Sequence, residues 1–278
     1  YNTSPVDFTM REPDGSEFTV TVAQGLVTID PVPLTRIIDA GGGRNVGYMQ
    51  LLQFISTAEP EFETAFAAFQ AAGINDLVID LRFNGGGLVT TTELLADYLG
   101  GDVAENLVFI DTRYNADRAA TENRTAFFGR LLNSLSLSRL VVITNSNSAS
   151  ASEAIPNGLD PHVEVVYVGS TTTGKPTGQT GLSFCDNVIR ATAFQLFNAD
   201  GFGDYFDGLE PDCPAADDFS IPIGDDTDPN LTTVLGYLDT GSCPVVFAPG
   251  VISKPQLDVE IPQLDRSRSP QGIYADAW

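Results

Sequence analysis

Four serines fall within seven positions of the stretch TNSNSASASEAIPNGL, residues 144–159: Ser146, Ser148, Ser150 and Ser152. A serine hydroxyl attacks poorly until a neighbouring base takes its proton. Histidine is the usual base, and the chain has one, His162, set beyond a predicted helix and next to Pro161. That setting reads as a loop histidine. A lysine can serve instead where desolvation disfavours the ammonium form. The chain holds twelve arginines but only two lysines, Lys175 and Lys254. Lys175 stands in TTTGKPTGQT between Gly174 and Pro176, which would hold its backbone tightly. It reads as a base or as an ordinary loop lysine. The stretch DLRFNGGG supplies a third part, Gly85, Gly86 and Gly87 after a strand. Glycines there let backbone N–H groups turn toward a ligand and hold an oxyanion, although such a run is also a common turn. Ser150-Ala-Ser-Glu153 matches a capping box, S-x-x-E, so Ser150 could simply cap a helix. Residue types alone do not choose among the four serines.

The elements around these stretches alternate. FTMREPDGSEFTVTV reads as a hairpin about Asp14-Gly15. RNVGYMQLLQF is a buried strand. In EPEFETAFAAFQAAG the positions Phe62, Ala65, Phe66 and Phe69 follow i, i+3, i+4, i+7, a helix that Gly73 can end. DLVIDLRF is a continuous apolar strand, as where both sheet faces are covered. LVTTTELLADYL is a helix, NLVFIDTRY a strand and residues 116–133 a helix. RLVVITN is a strand feeding the serine run, and VEVVYVG another before the lysine loop. After residue 185 the chain is rich in Gly, Asp and Pro, with a helix near DPNLTTVLGYL; the last 30 residues read as extended and irregular. Strands alternating with helices predict an α/β layered fold with a largely parallel sheet. Sites in such folds lie in the loops after the strand C-terminal ends, which is where the three stretches fall.

At 278 residues, 42% hydrophobic and 18% charged, the chain is globular and large enough to need no disulfide or metal. The formal net charge of −23 argues against nucleic acid and anionic membranes as partners. It fits a solvated acidic surface. GDDTDPN does not match an EF-hand calcium loop. Cys185, Cys213 and Cys243 lack zinc-site spacing. One disulfide plus a free thiol, a cysteine paired outside the chain, or three buried thiols remain open; a disulfide would fit an oxidising compartment. No apolar run is long enough to span a bilayer. The start at Tyr1 shows no charged-then-apolar leader, so a signal segment is expected to be absent or removed.

Taken in order, DLRFNGGG, NSASASEAIPNGL and VGSTTTGKPTGQ resemble the C-terminal processing (tail-specific) serine peptidases of family S41 over about residues 45–180. The family pattern runs as a strand ending D-L-R-x-N-x-G-G, a SASASE-type nucleophile turn and a T-x-G-K-x-x-x-Q loop. GDYFDGLEPD and GDDTDPNLTTVLGYL resemble its C-terminal portion less sharply. The resemblance implies a ClpP/crotonase-like α/β core and a Ser/Lys dyad. It selects Ser150 as nucleophile and Lys175, twenty-five residues on, as base. Gln179 would orient the lysine amine. The oxyanion hole maps onto the backbone N–H groups of Ala151 and of Gly86 or Gly87. No metal or other cofactor is implied. Two departures stand out: Pro156 and Gly158 are expected to shorten or kink the helix after the nucleophile, and an acidic residue of the pattern is displaced to Asp160. The family usually carries a PDZ domain, of which only EFTVTV and the preceding hairpin resemble the end.

The expected organisation is therefore an N-terminal β segment over 1–30, a catalytic core over 31–248 and an irregular tail over 249–278. The expected function is a periplasmic or extracellular serine endopeptidase acting on polypeptides, including their C-terminal tails, through an acyl-enzyme. An esterase using the same dyad, or a non-catalytic ligand-binding relative, are the alternatives. The tail could occupy a groove of a neighbouring copy or pack on its own domain, and homo-oligomerisation is open.

Overall fold

A computed structural model of the chain describes residues 4–12, 14–23, 25 and 27–244. The expected tail over 249–278 lies outside the described residues. The chain divides into two units, Tyr1–Asp30 and Pro31–Trp278. In the first, strands β1 (Val6–Arg11) and β2 (Glu17–Val22) form an antiparallel hairpin. Gly15, with φ +86°, makes the turn. Val6, Phe8 and Met10 pair across with Val22, Val20 and Phe18, so period-2 alternation puts six apolar side chains on one face.

The second unit is built on a six-stranded sheet. Its strands are β3 (Leu34–Asp39), β4 (Asn45–Gln50), β5 (Asp76–Asp80), β8 (Arg139–Thr144), β9 (Glu164–Gly169) and β12 (Cys213–Pro214), in the order β12-β9-β8-β5-β4-β3. All neighbours are parallel except β3, which runs antiparallel to β4. Helices α1 (Glu59–Ala71), α2 (Val89–Gly100) and α4 (Ala151–Leu159) pack on one face against Met49, Leu77, Ile79, Leu140 and Val142. Helix α5 (Pro229–Thr240) covers the other through Leu231, Val234 and Leu238 against Val78, Val141, Ile143, Val166 and Val168. Alternate residues of one strand thus feed opposite cores, which is why these strands read as unbroken apolar runs.

A second sheet departs from the sequence reading. Strands β6 (Val108–Tyr114), β7 (Arg124–Phe127), β10 (Thr177–Phe184) and β11 (Asn187–Phe197) form an antiparallel sheet, order β10-β11-β6-β7. NLVFIDTRY is a strand as expected, but it pairs outside the parallel sheet. The helix expected over 116–133 shrinks to one turn, α3 (Ala119–Glu122). Asn123 then takes the Tyr114 N–H on its side chain, and Arg124–Phe127 pairs with β6 instead. Cross-strand pairing overrides local propensity here. The β10–β11 hairpin turns at Cys185 and Asp186, with φ +45° and +61°.

Two covalent or ionic ties complete the unit. Cys213 and Cys243 form a disulfide joining β12 to the end of α5, and Cys185 is an exposed free thiol. The Arg82 guanidinium, fully buried, meets Asp80 at 2.6 Å, Asp228 at 2.5 Å and Asp217 at 3.0 Å. Tyr48 donates its hydroxyl to Asp80. Asp228 also caps α5 by accepting the Asn230 N–H. Arg82→Ala would leave two buried carboxylates without a counter-charge. We expect it to lower the unfolding free energy by about 3–5 kcal/mol, read as a fall in the urea midpoint.

Candidate active site

Strands β9, β8 and β5 are adjacent and parallel, so the loops leaving their C-terminal ends lie side by side. These are the lysine, serine and glycine loops, with the serine loop in the middle. The glycine loop is bonded to the serine turn at several points. Ser148 donates its hydroxyl to Leu81 O, and Ser152 donates to Asn84 O. The Ala149 N–H also donates to Asn84 O, and the Phe83 N–H donates to the Asn145 side chain. A Cβ on Gly86 would lie 2.9 Å from Ser150 Cβ and 2.8 Å from Ala149 O, so only glycine allows this approach.

These contacts separate the four serines. Ser148 and Ser152 are buried and their hydroxyls are committed to the strand-end backbone. Ser146 is exposed and its carbonyl accepts the Thr173 hydroxyl. Ser150 is half-buried at the start of α4, with φ +60° and ψ −112°. That is a sparsely populated backbone conformation for a non-glycine residue, of the kind that clusters at functional sites. Helix α4 is short, nine residues, and runs through Pro156 and Gly158 to end at Leu159. A side chain at 158 would collide with the ring of Phe109, which explains the glycine.

Glu153 connects the serine turn to the lysine loop. Its carboxylate is fully buried. Oε2 accepts the N–H of Ser150 and the N–H of Lys175, each at 2.8 Å. Oε1 accepts the Thr172 hydroxyl at 2.6 Å and the Gly174 N–H at 2.7 Å. A helix cap needs only the first of these. The other three fix the loop that carries Lys175, and the Thr173 N–H adds a bond to Ser148 O. Gly174, with φ +84°, packs so closely on Phe206 O and Gly208 N that no side chain fits. Burial and the negative charge of Glu153 together push the Tyr205 phenol well above its usual pKa.

Lys175 is half-buried and, among the described residues, its ammonium enters no ion pair or hydrogen bond. The two loops meet through backbone and Glu153; no hydrogen bond joins the Ser150 hydroxyl to the Lys175 amine. Gln179 is exposed on β10 beside a bulge and pairs with Thr192. It makes no hydrogen bond to Lys175. Of the oxyanion candidates, the Gly86 N–H is taken by the Asn84 side chain at 2.9 Å. The N–H groups of Gly87 and Ala151 have no acceptor among the described residues. His162 bonds Val108 O and stands edge-on to Phe128, so it serves the core and not the serine turn. Asp160 is exposed just past the end of α4; partial desolvation, then the charges of Asp200 and Asp212, raise its pKa. No group of three or more His, Cys, Asp or Glu side chains among the described residues could hold a metal ion.

Sequence reasoning missed the reach of Glu153, taken there as a helix cap, and the roles of Thr172, Asn84 and Asn145. One signal was available: an acidic residue amid Ala and Ser in the first turn of an apolar helix must find several donors if it is buried.

A model of peptidase family S41 matches residues 45–215. The chain is 25% identical over 188 residues to the carboxy-terminal processing protease CtpA of Bacillus subtilis, covering 67% of this chain and 38% of that one. It is 30% identical over 178 residues to the carboxyl-terminal-processing protease of Synechocystis sp., covering 62% and 37%. The chain therefore spans less than two-fifths of the length of these relatives. Among solved structures, an S41 structure from Bacteroides fragilis matches with TM-score 0.72 at 24% identity, over 84% of this chain and 66% of that one. The photosystem II D1 C-terminal processing protease matches with TM-score 0.58 at 23% identity, over 87% and 61%. Both likenesses show the shared α/β fold.

Proposed function

The chain belongs to peptidase family S41, and we propose that it is a serine endopeptidase of the C-terminal processing type. Ser150 is the nucleophile and Lys175 the base. Lys175 takes the Ser150 hydroxyl proton as the oxygen attacks the scissile carbonyl. The carbonyl becomes a tetrahedral oxyanion held by the Ala151 and Gly87 N–H groups. Gly86 makes room for that hole and is itself pinned by Asn84. Lys175 then gives the proton to the leaving amine, an acyl-enzyme remains, and the same lysine activates the water that releases it. Gln179 orients the lysine amine once the dyad closes; in the free protein it stands exposed, and catalytic hydrogen bonds are often long before substrate binds.

One observation carries this reading: Glu153 Oε2 takes the N–H of both Ser150 and Lys175. A capping serine needs no such coupling to a lysine loop. The core is ClpP/crotonase-like, residues 31–248 form the catalytic unit, and the N-terminal hairpin is the end of a PDZ domain. Its six-residue apolar face supports that last point, because a two-stranded hairpin alone is marginal in water. The Cys213–Cys243 disulfide supports a periplasmic or extracellular setting.

The test compares an unfolded polypeptide, reduced casein, with p-nitrophenyl acetate as substrates of the full chain. We expect casein to be cut into peptides and both activities to disappear in Ser150→Ala. Ester hydrolysis without any peptide-bond cleavage would replace the peptidase reading with an esterase one. No turnover of either would favour a binding relative.

A further inference from the structure

Phe83 is the exposed residue in an otherwise buried turn. Arg82 and Asn84 on either side are buried, whereas Phe83 is 42% exposed. Its φ of +63° lies in the left-handed region, where a bulky side chain is a true outlier and glycine or asparagine would sit easily. The position therefore carries both backbone strain and an exposed aromatic ring, and core packing returns neither. Its partner is Phe219, 82% exposed, with ring centroids 6.0 Å apart.

Both rings hang from one scaffold at the nucleophile turn. Asn145 accepts the Phe83 N–H on Oδ1 at 3.2 Å. Its Nδ2 donates to Asp217 at 3.1 Å, two residues before Phe219. Asp217 is in turn held by Arg82. Phe83 is also bracketed by bonds to the serine turn, with Ser148 on Leu81 and Ala149 and Ser152 on Asn84. The strained residue is thus fixed from both sides, with its ring left outside.

We propose that Phe83 and Phe219 form an apolar subsite that receives an aromatic or branched aliphatic side chain of a polypeptide beside the bond attacked by Ser150. The inference rests on the peptidase reading and adds its specificity. The nearest charges disfavour an acidic side chain there: Arg82 is shared among Asp80, Asp217 and Asp228, and the protein as a whole is strongly acidic.

The experiment uses the full chain and quenched-fluorescent peptides in which one residue flanking the cut is Phe, Leu, Ser or Asp. The variants are Phe83→Asn, which suits the left-handed backbone, and Phe219→Ala. A small fluorophosphonate reports the nucleophile independently of the subsite. We expect kcat/KM for the Phe and Leu peptides to fall about tenfold or more, mainly through KM. The Ser peptide should change less than about threefold. Fluorophosphonate labelling should keep its wild-type rate, and Phe83→Asn should unfold at or above the wild-type temperature. Intact labelling with an unchanged Phe and Leu preference, or an equal fall for all four peptides, overturns the subsite alone. Absent labelling of the wild type overturns the peptidase reading and the subsite with it.

Discussion

Ser150→Ala is expected to lower kcat for peptide hydrolysis by about 10⁴–10⁶-fold while leaving the unfolding temperature within a few degrees of wild type. Lys175→Ala is expected to do the same. Because nucleophile and base act as one unit, the double variant should be no worse than either single one. The competing expectation is quantitative. If Ser150 were only a helix cap, its loss would cost about 1 kcal/mol of stability and leave turnover intact. Two features go beyond what a cap requires: Ser150 holds φ +60°, and its N–H shares an acceptor with the lysine loop. Steady-state kinetics and thermal melts on the three variants decide between the two.

Glu153 carries the second large effect. Glu153→Ala removes the acceptor of three part-buried backbone N–H groups and one buried hydroxyl. Unsatisfied buried donors cost about 1–3 kcal/mol each, less whatever water recovers, so a loss of at least 3 kcal/mol is expected. Glu153→Gln is the informative variant, since it fills the same space. Its amide keeps one acceptor oxygen but turns an N–H₂ group toward donors that already need an acceptor. We expect it to fold, with kcat reduced about 10²-fold and KM little changed, because small misplacements of reacting groups cost rate rather than binding. Wild-type kcat in a folded Glu153→Gln would show that Glu153 merely supports the helix.

The parts of the site that lie within one chain segment were legible in the sequence. Strands β5, β8 and β9 are apolar runs, each followed by a stretch with its own chemistry, and their adjacency follows from parallel α/β topology. The i, i+3, i+4, i+7 pattern located α1, with Phe62, Ala65, Phe66 and Phe69 all buried. What needed the structure depends on pairing at a distance. Residues 124–127 join β6 only because β6 leaves the main sheet, and nothing local to Arg124–Phe127 says so. Strand β11 escaped notice because its hairpin turns at Cys-Asp in place of the Asn-Gly or Asp-Gly that such turns favour. Three cysteines left the pairing open; Cys213 and Cys243 are selected because β12 lies next to the end of α5. Phe83 looked like one more residue of an apolar strand until its positive φ set its ring apart.

The most direct test of the Ser150 and Lys175 account is to treat the full chain with a fluorophosphonate and map the adduct by peptide mass spectrometry. The account predicts one phosphonylated serine, Ser150, with labelling at least about a hundredfold slower in Lys175→Ala. An adduct on Ser146, Ser148 or Ser152, or labelling of Ser150 at an unchanged rate without Lys175, would contradict it.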